Sequence, residues 1–183
     1  MVTDYNKIKF LNEVMIMKIK SMVICAVFSA TLCIFCVLTV PIGPVPVSMA
    51  TFAIMLTAII LGPKKSSISV IIYILLGSIG LPVFSGFKGG FQVLAGPTGG
   101  YIWSYIFMAL LIGSVAKKCV NNKIIIFIGC IASTIVCYIL GTVQFAIVQG
   151  TSFMSALSIC VLPFIPFDIA KVIWPFVFTI IVP

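Results

Sequence analysis

The 183-residue chain is 62% hydrophobic and only 8% charged. A soluble domain is about 45–50% apolar and about 25% charged, so this composition excludes a water-soluble globular fold. The apolar runs are long and continuous rather than alternating, which predicts α-helices that cross a lipid bilayer. We therefore predict a single all-α integral membrane domain.

The charge balance is strongly basic, with eleven lysines against three acidic residues and a net charge of +8. Such a charge can attract nucleic acid, but these lysines lie at the ends of apolar runs, where membrane topology explains them better. The chain has no histidine, which removes the commonest metal ligand and general base. We therefore predict no catalytic site, no bound metal, no cofactor and no nucleic-acid partner.

Six membrane-spanning helices are predicted, because crossing a core of about 30 Å takes about 20 apolar residues. Residues 1–20 are predicted to form a cytoplasmic tail, and residues 21–183 the six-helix domain. The predicted helices are 21–40, 47–62, 66–83, 101–116, 124–149 and 166–182.

Prolines set several of these boundaries, because proline removes a backbone donor and clashes with the preceding turn. The proline-rich segment 41–46 ends the first helix, and Gly62-Pro63 ends the second. Pro163 and Pro166 interrupt the apolar stretch before the last helix, and Pro175 predicts a kink within it.

Lysine positions predict the orientation of the bundle. Nine of the eleven lie in the tail, the turn at 62–65 and the turn at 117–123, which share one side of a six-span bundle. The positive-inside rule makes that side cytoplasmic, so both termini are predicted to be cytoplasmic. The connection at 84–100 and the start of the last helix then face the outside.

Seven cysteines are scattered along the chain, most of them within apolar runs. An odd number in such positions does not fit a disulfide framework. Cys33 and Cys36 form a CxxC motif, but no second CxxC accompanies it. We interpret the cysteines as small apolar residues that pack between helices.

Asp168 and Lys171 are the outstanding polar residues of the C-terminal region. They are three residues apart, so on a helix they share a face. A charge near the middle of a bilayer helix costs about 2.5–3.5 kcal/mol on insertion scales, which makes such residues functional candidates. The pair can be a structural ion pair, or it can bind a ligand that offers both N–H donors and a carbonyl, or a zwitterion.

The segment 84–100 is rich in glycine and aromatic residues. It lacks the Gly-Lys-Ser/Thr sequence of a phosphate-binding loop. It is either a flexible outer loop or a loop folded over a pocket, which non-helical backbone permits where it lines a cavity. In the second case the predicted apolar walls are Phe84, Phe87, Phe91 and Tyr101, and Gln92 supplies an orienting hydrogen bond.

Ala26 and Ala30 lie four residues apart in the first helix. Small residues at this spacing let helices approach closely. They either pack within the bundle or dock another membrane subunit.

Several motifs resemble those of the BioY family, the biotin-specific substrate-binding (S) components of energy-coupling factor (ECF) transporters. The motifs are GLPVFSG at 80–86, GG at 89–90, GPTGGY at 96–101 and PFDIAK at 166–171. The resemblance covers essentially the whole chain and implies the six-helix S-component fold in a bacterial or archaeal plasma membrane. It also implies high-affinity capture of biotin from outside, with a transmembrane T component and two ABC-type ATPases driving uptake.

The resemblance implies roles for individual residues. Asp168 accepts from a ureido N–H of biotin, Lys171 donates to its carbonyl, and the carboxylate lies near loop N–H groups or Lys88. The residues predicted to bind substrate are Asp168, Lys171, Phe84, Gly89, Gly90, Gln92, Gly99, Tyr101 and Lys88. In related S components an Ala-x-x-x-Ala pattern contacts the T component. Ala26 and Ala30 match it, whereas Met22 and Ile34 replace its outer positions.

Three alternatives stay open. The chain can be an S component for another vitamin, such as thiamin or riboflavin. It can be an intramembrane enzyme that uses Lys171 as nucleophile or base, although partner residues for that chemistry are missing. It can also be a membrane adaptor that transports nothing.

Overall fold

The computed structural model describes residues 2–40, 46–119, 122–169 and 171–173, with side chains from residue 15 onward. The helices are α1 (Val2–Val37), α2 (Ala50–Ser78), α3 (Phe91–Ala95), α4 (Gly99–Lys118), α5 (Lys123–Gln149) and α6 (Phe153–Cys160). Two short strands, β1 (Thr39–Val40) and β2 (Val47–Ser48), pair antiparallel. Residues 165–169 and 171–173 are also helical, and we call them the C-terminal helical segment.

Helix α1 is longer than predicted. Its backbone runs without interruption from Val2 to Val37, so residue 20 marks no structural boundary. At 1.5 Å per residue its 36 residues extend about 54 Å, well beyond a core of about 30 Å. The cytoplasmic position of its first part stays a prediction.

The first chain reversal lies between α1 and α2. Strand β1 pairs with β2 in the register Thr39 with Ser48 and Val40 with Val47, which brings the two helix ends together. The rings of Phe35 and Phe52 then lie 6.1 Å apart. The predicted proline break therefore coincides with a hairpin, whose residues 41–45 lie outside the described part of the chain.

Helix α2 contains the second reversal, at Gly62. This residue has φ 72° and ψ 180°, a left-handed conformation that favours glycine, and Pro63 follows it. Before the break α2 runs antiparallel to α1. After it the direction is parallel, because the Cys25 thiol donates to Lys65 O and the Ser29 hydroxyl donates to Ser69 O, four residues further along both helices. The predicted interruption at Gly62-Pro63 is thus confirmed.

The second half of α2 ends at Ser78, earlier than the predicted residue 83. Gly80, with φ 109°, turns the chain out of the helix, and Pro82 follows two residues later. The helix α6 was not predicted. Its N-terminus is capped by the Ser152 side chain, which accepts from the N–H of Ser155.

Within the described residues, four helices are long and apolar enough to cross a membrane, or five if the bent C-terminal pair counts as one span. That pair is α6 with the C-terminal helical segment, and the bend is 60°. The count treats α2 as one helix, so helix length alone does not establish the predicted six spans. Most of the predicted last helix, including Pro175, lies beyond the described residues.

The core lies where α2, α4 and α5 pack, with α1 against α2. Gly113 of α4 permits a close approach to the break in α2, because a Cβ there would lie 2.6 Å from the backbone of Pro63. The cysteines pack as interpreted from the sequence: all seven are free, and those that are fully buried are Cys25, Cys36, Cys130, Cys137 and Cys160.

Candidate ligand-binding site

Asp168 and Lys171 form an ion pair on the C-terminal helical segment. Lys171 Nζ lies 2.8 Å from Asp168 Oδ1. Both residues are buried: Asp168 is 7% exposed and Lys171 is 8% exposed. The same ammonium donates to the backbone carbonyl of Ser48 at 2.8 Å. On the other side, the Tyr138 hydroxyl donates to Asp168 Oδ2. Burial of two charges is costly, and this network compensates it by pairing and by hydrogen bonds.

A cavity opens beside this pair. Its wall combines the start of α2, the glycine-rich connection, α4, α5, α6 and the C-terminal helical segment. The residues that line it are Pro46, Ser48, Thr51, Phe84, Ser85, Lys88, Val93, Thr98, Tyr101, Ile102, Tyr105, Cys137, Tyr138, Cys160, Phe164, Asp168 and Lys171. A mostly apolar cavity with a few convergent polar groups is the usual form of a small-molecule site.

The structure brings five of the predicted substrate-binding residues to this cavity. Asp168 and Lys171 are joined there by Phe84, Lys88 and Tyr101. Phe84 is buried and packs edge-on against Tyr73, with ring centroids 5.6 Å apart. Lys88 is exposed, and its backbone carbonyl accepts from the N–H of Phe84. The ends of this short loop are therefore held together at the cavity mouth.

The other four predicted residues lie outside the cavity lining, and their direct contact with a ligand stays a prediction. Gln92 is exposed. Gly90 has φ 97° and its N–H donates to Gly77 O at 2.7 Å, which fixes the loop against α2. A Cβ at Gly89 would lie 2.4 Å from Leu81 O, and one at Gly99 would lie 1.8 Å from Leu94 O. These glycines permit close backbone packing.

Phe87 and Phe91 do not form walls of the cavity, contrary to the prediction. They are 74% and 67% exposed, respectively. Phe87 sits at a tight turn with φ 58°, which directs the chain back on itself between Phe84 and Lys88. The aromatic residues of the connection are therefore split between the cavity and the outer surface.

Sequence reasoning missed Tyr138 and Ser48. Tyr138 lies within the apolar run of α5, and a buried phenol hydroxyl normally needs a partner. That rule singles out Tyr138 as a residue that seeks an acceptor, but it does not identify Asp168. The role of Ser48 rests on a backbone carbonyl, for which the sequence carries no signal.

Gly77 couples helix packing to the cavity wall. A Cβ at this position would lie 2.1 Å from Cζ of Phe84, so Gly77→Ala must displace a buried ring. We expect a loss of about 1–3 kcal/mol in the free energy of unfolding, as for other overpacked cores. Denaturation of the purified protein in detergent measures it. Gly129→Ala is the control, because its Cβ would meet only the Val115 side chain, at 3.1 Å, and an equal loss there would contradict this reasoning.

Ala26 and Ala30 are both exposed on α1. Their neighbours Cys25 and Ser29, about 100° round the helix axis, are buried against the second half of α2. Within the described residues, the face that carries the two alanines is therefore accessible to another helix.

The described residues contain no group of three cysteine or acidic side chains placed to hold a metal ion. The chemistry of the cavity is instead that of hydrogen bonding around one ion pair. It offers carboxylate acceptors, two ammonium groups, three tyrosine hydroxyls and apolar walls.

Comparison with known proteins places the chain among membrane transport proteins. The model of the BioY family matches residues 7–182. The biotin transporter BioY of Thermotoga maritima is 37% identical over 147 residues, covering 80% of this chain and 86% of the relative. The probable biotin transporter BioY of Pyrococcus horikoshii is 36% identical over 155 residues, covering 85% and 91%.

A solved structure agrees with these relatives. A crystal structure at 2.1 Å of the S-component for biotin from an ECF-type ABC transporter superposes with a TM-score of 0.81. It is 32% identical in sequence, and the match covers 89% of this chain and 90% of the other. The family match over nearly the full length, the similar relatives and the shared fold all agree: this chain belongs to the BioY family.

Proposed function

We propose that this protein captures biotin and takes part in its uptake as the S component of an ECF transporter. The observation that carries the proposal is the buried Asp168–Lys171 pair in the wall of an otherwise mostly apolar cavity. The relatives named as biotin transporters and the solved S-component for biotin support the same substrate.

The ion pair matches the ureido ring of biotin, which has two N–H donors and one carbonyl acceptor. Each oxygen of Asp168 uses one acceptor site on Lys171 or Tyr138 and keeps another for a ligand N–H. Lys171 has three hydrogens, of which the described contacts engage two, on Asp168 and Ser48. The third is available to the ureido carbonyl.

The remaining parts of biotin find complementary groups in the cavity wall. The fused ring and aliphatic chain pack on Phe84, Tyr101 and neighbouring apolar residues. Lys88, exposed at the mouth, is the cationic side chain that can meet the carboxylate from outside the buried pair. Biotin thereby places its uncharged polar ring at the buried end and its charged group nearer solvent.

The complete transporter adds a T component and two ABC-type ATPases. We propose that the exposed face of α1 around Ala26 and Ala30 docks the T component. In this proposal α2 forms two spans that meet at Gly62, and α6 forms one span with the C-terminal helical segment. Together with α1, α4 and α5 they make six spans in the plasma membrane. The lysine-rich ends and both termini then face the cytoplasm.

Direct titration of the purified protein with radiolabelled biotin tests this function. We expect saturable binding of one biotin per chain that excess riboflavin or thiamin does not displace. Displacement by either vitamin would instead identify an S component for that ligand. Recovery of bound ligand that has been chemically altered would support the enzyme alternative, and absence of binding would support an adaptor.

A further inference from the structure

The hydroxyl of Tyr138 joins α5 to the charged pair. Tyr138 lines the cavity, and its hydroxyl donates to Oδ2 of Asp168. The other oxygen, Oδ1, accepts from Lys171 at 2.8 Å. The carboxylate is therefore held from two sides, by a cation on its own helical segment and by a neutral donor on another helix.

This double attachment fixes the orientation of the carboxylate group. Rotation about the bond that carries it would break the contact to Tyr138, the contact to Lys171, or both. The acceptor sites that remain on the two oxygens consequently point in set directions before any ligand arrives. Lys171 alone would leave Oδ2 without a described partner and the carboxylate free to turn.

The position of the Tyr138 hydroxyl is itself well defined by packing. The ring lies against a buried cluster made of Val47, Phe145, Ala156, Cys160 and Phe164. Three of these, Ala156, Cys160 and Phe164, lie on or after α6 and lead towards Asp168. The same contacts that pack α6 on α5 therefore place the donor.

We propose that Tyr138 is a positioning residue that orients Asp168 to accept an N–H from a cyclic urea. This inference rests on the proposed function and deepens it. Tyr138 adds a donor without adding a charge, so the pair stays electrically balanced while the direction of its acceptor sites is set. A preset acceptor favours a rigid ligand whose N–H group has one geometry, because little ordering remains to be done on binding.

The experiment compares Tyr138→Phe with the unchanged protein in titrations with biotin. Phenylalanine keeps the ring packing and removes the hydroxyl, and we expect biotin to bind at least about tenfold more weakly. Thr134→Val is the matched control, because Thr134 lies on the same helix outside the cavity lining and the substitution removes a buried hydroxyl while keeping the shape of the side chain. Its biotin affinity should equal that of the unchanged protein.

A ligand series separates positioning from general loosening of the site. Two analogues of biotin, each methylated on a different ureido nitrogen, remove one N–H at a time. For the analogue that cannot donate to Asp168, the penalty of Tyr138→Phe should disappear, whereas for the other it should persist. Equal penalties for biotin and both analogues would show a merely structural role and overturn the inference.

The outcomes also distinguish this inference from the proposed function. If the unchanged protein does not bind biotin, the proposed function fails. If it binds biotin and Tyr138→Phe binds equally well, only the role of Tyr138 fails. Thermal unfolding of the ligand-free variants accompanies each titration, so that a folding defect is recognised as such and the penalty is read at equal folded fraction.

Discussion

Asp168→Asn is expected to weaken biotin binding by about 100-fold or more while leaving the protein inserted in the membrane. In the complex a buried ureido N–H would lose its acceptor, which costs about 1–3 kcal/mol and more when the lost partner is charged. At about 1.4 kcal/mol per tenfold change in affinity, a loss of about 3 kcal/mol corresponds to about 100-fold. The asparagine NH₂ group would also face a donor, either Lys171 or the Tyr138 hydroxyl.

Binding of radiolabelled biotin to the purified variant measures this loss. Lys118→Met serves as the control for a change in charge alone, because Lys118 is exposed at the end of α4. The double variant Asp168→Asn with Lys171→Met removes both charges, so it should unfold at a higher temperature than Asp168→Asn and still fail to bind biotin. Unchanged affinity in Asp168→Asn would refute the assignment of the ureido ring to this pair.

Replacing both Ala26 and Ala30 by tryptophan is expected to abolish assembly with the T component and to leave biotin affinity unchanged. Both residues are exposed on α1, and close helix contact in a membrane depends on small side chains. Two indole rings would separate the docked helices by more than van der Waals packing tolerates. The cavity should be unaffected, since neither alanine lines it.

Co-purification with a tagged T component, followed by biotin titration of the separated subunit, measures both effects. Ile147→Trp is the control, because Ile147 is 74% exposed on α5, a different helix from the proposed docking face. A complex that survives the double substitution would place the docking surface elsewhere. Loss of biotin binding together with assembly would mean that the tryptophans disturb the packing of α1 on α2.

The central pair was predictable because its signal is local. An anion and a cation three residues apart in an apolar run stand out in the sequence, and helical spacing alone brings them together. Phe84 and Tyr101, which lie in the glycine-rich motifs, and Lys88 between them also line the cavity. Their contact with a ligand stays a prediction, and their approach to the pair depends on the packing of the helices rather than on local spacing.

Other features depend on packing between distant segments and were not predictable in the same way. Tyr138 lies 30 residues from its acceptor, and Ser48 lies 123 residues from Lys171. The exposure of Phe87 and Phe91 follows from a turn whose direction is set by φ at one residue, which composition does not specify. The continuous α1 also differs from prediction, because a polar segment can remain helical outside the lipid core.

The contact between Lys171 and Ser48 O closes the polypeptide into a loop. The ammonium group of Lys171 donates both to Ser48 O, in the hairpin between α1 and α2, and to Asp168 on its own helical segment. Any movement of strand β2 away from the cavity must therefore stretch or break a hydrogen bond to the same ammonium group that, in the proposed function, donates to the ureido carbonyl. Occupancy of the cavity and the position of β2 are consequently coupled through one side chain.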